Sequence, residues 1–232
     1  MSREEILTAA QKEGRLTFAS AHEETAVPHL VAAFKKKYPF IREVSFRSVT
    51  GIPAAQRELF ELAAGESNVD AFTPHSLFWS EYFKQDLFAA YNIRELAKRR
   101  QLEIPGEMID DSDLVVWTST NSSIIVYNRD LVPADKDTGG LEPFAVYAKA
   151  RNPNAALLWM EFLTSSEAQQ IVDRFDPGKA FFMFEGTVAN KLMKGNEASI
   201  CTSRCRAREE KLMEKIAVEA WGFPKVGASG AK

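Results

Sequence analysis

The sequence predicts an α/β fold built on a mostly parallel sheet flanked by helices. Three observations carry that expectation. Over residues 1–75 the segments alternate as helix, strand, helix, strand, helix, strand. The helical segments place apolar residues on one face, as Val27, Leu30, Val31 and Phe34 do at i, i+3, i+4 and i+7. The strand segments are short runs bounded by Gly, Pro or polar turns.

In chain order, Ser2 with Glu5 three positions on reads as a capping box that opens a helix to about Glu13, and Gly14 stops it. "RLTFAS" is the first strand. The helix in "HEETAVPHLVAAFKKKYP" ends with three lysines, which suit the negative end of the helix dipole, and Tyr38-Pro39 closes it. "EVSFRS" is the next strand, with "VTG" as its turn. "IPAAQRELFELAAG" is a helix with Leu59, Leu62 and Ala63 inward, and "NVDAFT" is the third strand. A short aromatic helix follows in "SLFWSEYFKQ", then the connector "DLFAAYNIRELAKRR". "LVVWTS" and "SSIIVYN" are β-rich runs, and "FAVYAKA" is another. "NPNAALLWMEFLTSSEAQQIVDRF" reads as two helices broken at Thr164-Ser165-Ser166, and "AREEKLMEKIAVEAWGF" as a late amphipathic helix.

Composition narrows the function. The 232 residues suffice for one or two domains. A hydrophobic fraction of 45% and a charged fraction of 26% are those of an ordinary globular chain. A formal net charge of -3 offers no bulk field for nucleic acid or acidic lipid. The opening "MSREEILTAAQKEG" lacks the apolar centre of a secretion signal. That leaves a cytosolic chain, or a mature chain that starts at an added Met. There is no G-x-S-x-G, H-E-x-x-H, P-loop or dinucleotide fingerprint, so an enzyme is not expected. The two cysteines, Cys201 and Cys205, are spaced C-x3-C. They lack the partners of a zinc site, so a disulfide or two idle thiols are expected.

Four segments together resemble a known family: "AAQKEGRLTFASAHEETAVPHLVAAFKKKYPFI", "GESNVDAFT", "SSIIVYNRDLVP" and "NPNAALLWMEFLTSSEAQQIV". In this order they resemble the solute-binding proteins of bacterial ABC importers, of the ferric-iron-binding type within extracellular solute-binding family 1. The resemblance spans most of residues 1–130 and Ala145 to Val172. It implies a type II periplasmic-binding-protein lobe with hinge strands, a periplasmic location, a small-molecule or metal ligand in a cleft, and an ABC permease as partner. Ferric iron, Fe3+, would be the transported ligand.

The resemblance also implies a gap. Relatives have two lobes joined by hinge strands, and the second lobe lies between a segment like "YNRDLVP" and the strand that leads into "NPNAA". Here only "ADKDTGGLEPFAVYAKAR" separates them. A lobe needs about 100 residues. Most of the second lobe is therefore expected to be absent, with "DTGG" as a closing turn. The expected divisions are 1–112 for the first-lobe core, 113–149 for hinge strands and a shortened connection, and 150–232 for returning helices and tail. The rival is a shrunken second lobe built from the C-terminal region.

Ligand contacts are expected where strands end and helices begin. His22 in "SAHEET" sits where ferric-binding relatives carry an iron ligand; its other reading is an exposed residue in a helix-capping segment. Ser48, Thr50 and Gly51 in "RSVTG" can cradle an anion beside Arg47; the other reading is a plain strand-to-helix turn capped by Thr50. His75 in "FTPHS" stands where relatives carry an acidic ligand; its other reading is a helix cap. His22 and His75 are thus the metal candidates. The adjacent tyrosine pair of the family is missing, and Tyr127 and Tyr147 read as hinge or core. His29 reads as a surface or structural residue, and Asp110, Asp111 and Asp113 as a solvated loop. Two functions remain: a solute-binding module with weakened affinity, or an interaction module that forms a homodimer through an uncovered hinge region.

Overall fold

The computed structural model describes residues 1–122, 139–194 and 202–205. The elements run α1 (Arg3–Glu13), β1 (Arg15–Ser20), α2 (Val27–Lys37), β2 (Glu43–Ser48), α3 (Ile52–Ala64), β3 (Ala71–Phe72), α4 (Trp79–Lys84), α5 (Ile93–Lys98), β4 (Val115–Ser122), β5 (Gly139–Val146), α6 (Pro153–Leu163), α7 (Ser166–Phe175) and α8 (Val188–Met193). The expected late helix "AREEKLMEKIAVEAWGF" and most of "SSIIVYN" lie outside the described residues.

The strands form one sheet in the order β2-β1-β3-β5-β4. It is parallel across β2, β1 and β3. It turns antiparallel where β5 joins β3 and β4 joins β5. Gly139 and Gly140 sit in the β4–β5 ladder, paired with Ser122 and Asn121. The two glycines of "DTGG" are therefore strand residues rather than the expected turn, and β5 begins before "FAVYAKA".

Side chains along the strands alternate between two cores, as period-2 geometry requires. Leu16, Phe18, Ala71, Val116, Phe144 and Val146 pack on the face that carries Leu30, Phe34 and Trp159. Ala19, Phe72, Val115, Trp117, Ala145 and Tyr147 pack on the face that carries Leu59, Leu62, Trp79 and Tyr82. Helix α6 is buried from Ala155 through Leu163, as a helix enclosed by others must be.

Local chemistry fixes the ends. The Ser2–Glu5 capping box is present, and Gly14 closes α1 in the left-handed region. Glu13 accepts bonds from the Asn154 and Ala155 amides at the start of α6, so the last residue of α1 serves the free N–H groups of a helix distant in sequence. Asp70, fully buried, joins the sheet to the same turn. It accepts from the Thr17 amide at 2.8 Å and from the Asn152 amide at 2.8 Å. Ser165 caps α7, which places the break where "TSS" predicts it.

Candidate functional site at the carboxyl edge of the sheet

Three parallel strands end together. The Val49 amide donates to the Ser20 carbonyl at 3.0 Å, and the Thr73 amide donates to the Ala19 carbonyl at 3.0 Å. The segments after β1, β2 and β3 therefore start along one edge. Because β5 runs the other way, its early residue Glu142 comes to that edge too, and β4 brings Ser119 opposite Glu142.

His22 lies two residues beyond β1 and is only 7% exposed. Its amide donates to Ser20 Oγ at 3.3 Å. The imidazole Nε2 is buried with no hydrogen-bond partner among the described residues. Burial pushes its pKa down, with Glu142 opposing, Lys179 adding to the fall and Asp176 opposing. A neutral ring with an unpaired ring nitrogen follows, which is the form that accepts a proton or binds a metal. The reading of His22 as a plainly exposed residue does not hold. Helix α2 is instead capped at Ala26, without a side-chain bond.

Other polar groups on or beside the strands go unmarked by the sequence. Glu142 accepts from Ser119 Oγ at 2.9 Å and pairs with Lys179 Nζ. The Thr120 amide donates to the Lys179 carbonyl at 2.8 Å. The hydroxyls of Thr73, Thr118 and Thr120 are buried without partners among the described residues. Glu142 and Lys179 lie in irregular text, where no periodicity or spacing singles them out.

The other expected residues sit as follows. Ser48 and Thr50 are exposed, their hydroxyls 3.3 Å apart. Gly51, at φ 81, is the N-cap of α3 in a conformation that suits glycine, so Thr50 is not the cap. Arg47 does not face an anion there. It pairs with Glu58 and, at 2.6 Å, with Glu61, and donates to Ser67. His75 accepts from the Leu77 amide through Nδ1 at 3.2 Å, capping the short 3₁₀ turn Ser76–Phe78. Among the described residues no group of three or more His, Cys, Asp or Glu side chains is arranged to hold a metal ion.

Several residues set apart in the sequence have structural work. Tyr147 is buried, and its hydroxyl donates to the Leu62 carbonyl at 2.7 Å. His29 stacks on Phe175, with centroids 4.2 Å apart. Asp110 is no solvated loop residue: fully buried, it accepts from the Ser203 amide at 2.9 Å. Asp111 accepts from Thr202, and Asp113 pairs with Arg94. Tyr127 and Cys201 lie outside the described residues, and with Cys201 goes the expected bridge to Cys205.

No protein-family model matches the chain, and no curated protein matches its sequence. Solved structures do match its fold. Apo ferric ion-binding protein A from Pasteurella haemolytica superposes with a TM-score of 0.60 at 12% identity, over 90% of this chain and 98% of that one. A ferric binding protein from Campylobacter jejuni gives 0.62 at 13%, over 88% and 98%. Iron-bound HitA from Pseudomonas aeruginosa gives 0.61 at 11%, over 87% and 98%. The chain has the α/β fold of type II periplasmic binding proteins, one open sheet flanked by helices. Within that class it is similar in fold to ferric ion-binding proteins.

Proposed function

We propose that this chain is the solute-binding component of an ABC-type importer, working in the periplasm and delivering ferric iron or a small anionic solute to a permease. The observation that carries the reading is the buried, unpaired Nε2 of His22 at the carboxyl edge of the sheet. Open α/β sheets take ligands at that edge, and an orphaned buried polar atom is a group with a missing partner. Ser48, Thr50, Gly51 and His75 complete the proposed rim. His22 and His75 would be its metal-facing members.

The same reading takes the chain as a single-lobe form, with the core in 1–112, hinge strands and connection in 113–149, and returning helices and tail in 150–232. Strands β4 and β5 pair with each other directly, and only residues 123–138 lie between them. That length is well below the ~50 residues of the smallest ordinary domains. Half of a two-lobed cleft would then be missing, so affinity for the solute is weakened. A second reading, dimerisation through the hinge region, is less favoured. The outer edge of β4 already receives bonds at both ends, with Val115 accepting from the Asp110 amide and Thr120 donating to Lys179.

Thermal unfolding with ferric citrate, phosphate, small carboxylates and thiamine tests the reading, at several protein concentrations. A ligand at a hundred times its Kd stabilises the native state by about 2.7 kcal/mol. A saturable rise in Tm that His22→Ala removes is the expected result. A rise unchanged when His22, Ser48, Thr50 and His75 are all substituted overturns the site. No ligand response, with a Tm that climbs with protein concentration, replaces the reading with the dimer.

A further inference from the structure

The two edges of the sheet differ. At β4 the outer edge is joined to Asp110 and Lys179. At β2, the opposite edge, the ladder to β1 keeps regular register from Glu43 to Ser48. The Glu43 amide donates to the Gly14 carbonyl at 3.4 Å, and the Val49 amide to the Ser20 carbonyl at 3.0 Å. Alternate residues from Glu43 on therefore turn their backbone groups toward β1, and Val44, Phe46 and Ser48 turn theirs outward. No hydrogen bond among the described residues reaches these outward groups. The strand "EVSFRS" has no Pro, no Lys and no bulge to guard it. Its guanidinium is engaged elsewhere, since Arg47 is held by Glu58 and Glu61 of α3. Beside this edge the core is left half-covered: Phe40, Val44 and Phe46 pack against it but are only partly buried, with the Phe46 ring 5.2 Å from that of Phe18.

We infer that β2 pairs with β2 of a second copy of this chain, antiparallel about Ser45, so that two sheets join into one. The strand itself argues for that occupant, because it is complementary to itself in this register. An antiparallel pair sets the outward-facing residues opposite one another. With Ser45 opposite Ser45 of the second copy, Val44 lies opposite its Phe46 and Phe46 opposite its Val44. Each pair exchanges backbone bonds and brings apolar side chains together. On the other face Glu43 lies opposite Arg47 of the second copy. The next allowed register on either side sets Val44 or Phe46 against itself and leaves the other opposite Arg42 or Ser48. The registers beyond those oppose Glu43 to Glu43 or Arg47 to Arg47, which like charges disfavour. The inference does not use the site at the carboxyl edge, so it stands or falls apart from solute binding.

Sedimentation equilibrium tests it. A short edge makes a weak dimer, so protein concentrations run up to about 1 mM. The mean mass of the wild type should climb toward that of two chains. Ser45 is exposed, so Ser45→Lys leaves the single chain intact while setting two cations against each other across the two-fold axis. It should weaken association at least about tenfold. Ser45→Cys reads the register directly. A residue opposite itself in a non-hydrogen-bonded pair has its Cα atoms about 4.5 Å apart, within the span of a disulfide. Mild oxidation should therefore link this variant into dimers, with peptide mass spectrometry finding the bridge between the two introduced thiols. Ser48→Cys is equally on the strand and exposed, but its two copies stand roughly 20 Å apart in this register and should not link. A wild type that keeps the mass of one chain throughout overturns the inference. So does association that Ser45→Lys leaves unchanged, which would place the contact elsewhere, as at the hinge edge. Equal linking of the two cysteine variants overturns it as well. Should Ser45→Lys fail to fold by circular dichroism, the two cysteine variants alone decide.

Discussion

Arg3 Nη1 donates to Glu161 Oε2 at 2.7 Å across 158 positions of sequence. The pair ties the first helix to the buried helix α6. The Glu161 side chain is 1% exposed and Arg3 30%. Two more donors complete the carboxylate: Tyr38 Oη at 3.0 Å and the Glu103 amide at 2.8 Å. A buried carboxylate is tolerated only when its oxygens are filled in this way.

Glu161→Ala removes that acceptor and strands three donors. The expected loss is about 3 kcal/mol of stability, in line with breaking a largely buried ion pair. Urea unfolding measures it. A loss under about 0.5 kcal/mol would make this an ordinary surface pair.

Asp70→Asn keeps size and shape but turns one acceptor oxygen into a donor. Both oxygens of Asp70 accept, Oδ2 from Thr17 and Oδ1 from Asn152, whose side-chain amide also reaches both. An amide in their place faces a donor with a donor. The variant should lose about 2–3 kcal/mol. Amide exchange should quicken at Thr17 and Asn152 before it quickens in α3.

Glu58 supplies a pH dependence. Burial pushes its pKa up, and the neighbouring Arg47 only partly offsets this. A carboxyl raised in the folded state binds more protons folded than unfolded. Its contribution is fully favourable below the ordinary carboxylate range and is lost as pH rises through the raised value. Glu58→Gln does not titrate, so its stability relative to wild type should improve from pH 4 to pH 7. Guanidinium unfolding across that range decides the matter, and a variant that loses stability relative to wild type as pH rises contradicts it.

Asp110→Ala should free the 202–204 stretch. The Ser203 amide and hydroxyl both donate to that carboxylate. Hydrogen exchange at Ser203 should rise by at least about tenfold while the amides of β1 keep their protection. Equal quickening in β1 would mean that Asp110 supports the whole fold.

Much of this architecture is legible in the sequence because it is local. Ser2 and Glu5 cap α1 through three-residue spacing. Val27, Leu30 and Phe34 are buried as their spacing requires, and Leu59 and Leu62 likewise. The helix break at Ser165 is written in its capping hydroxyl. What escapes is non-local. Glu58 is buried among the apolar residues of α3 because Arg47 reaches it from β2, which no helical wheel of α3 alone reveals. Lys179 and Glu142 meet across 37 positions in segments of no regular period. The site is similarly split: His22 is marked by its place after a strand, but its burial is not written in the residues around it.

The position of β5 has a consequence for how the molecule is made. In the sheet it lies between β3 and β4, yet the ribosome delivers it after both. When Ser122 emerges, β1, β2 and β3 can already assemble, but β4 has no strand to lie against. Phe72 and Trp117, which end in one core, wait for Ala145 to bridge them. Assembly order and synthesis order thus diverge at this point, and the last made of the described strands is the one that turns two unfinished pieces into one sheet. Such late, long-range closure slows folding and leaves apolar edges open while it is pending. A nascent chain stalled before Gly139 should therefore depend on chaperones far more than one stalled after Val146.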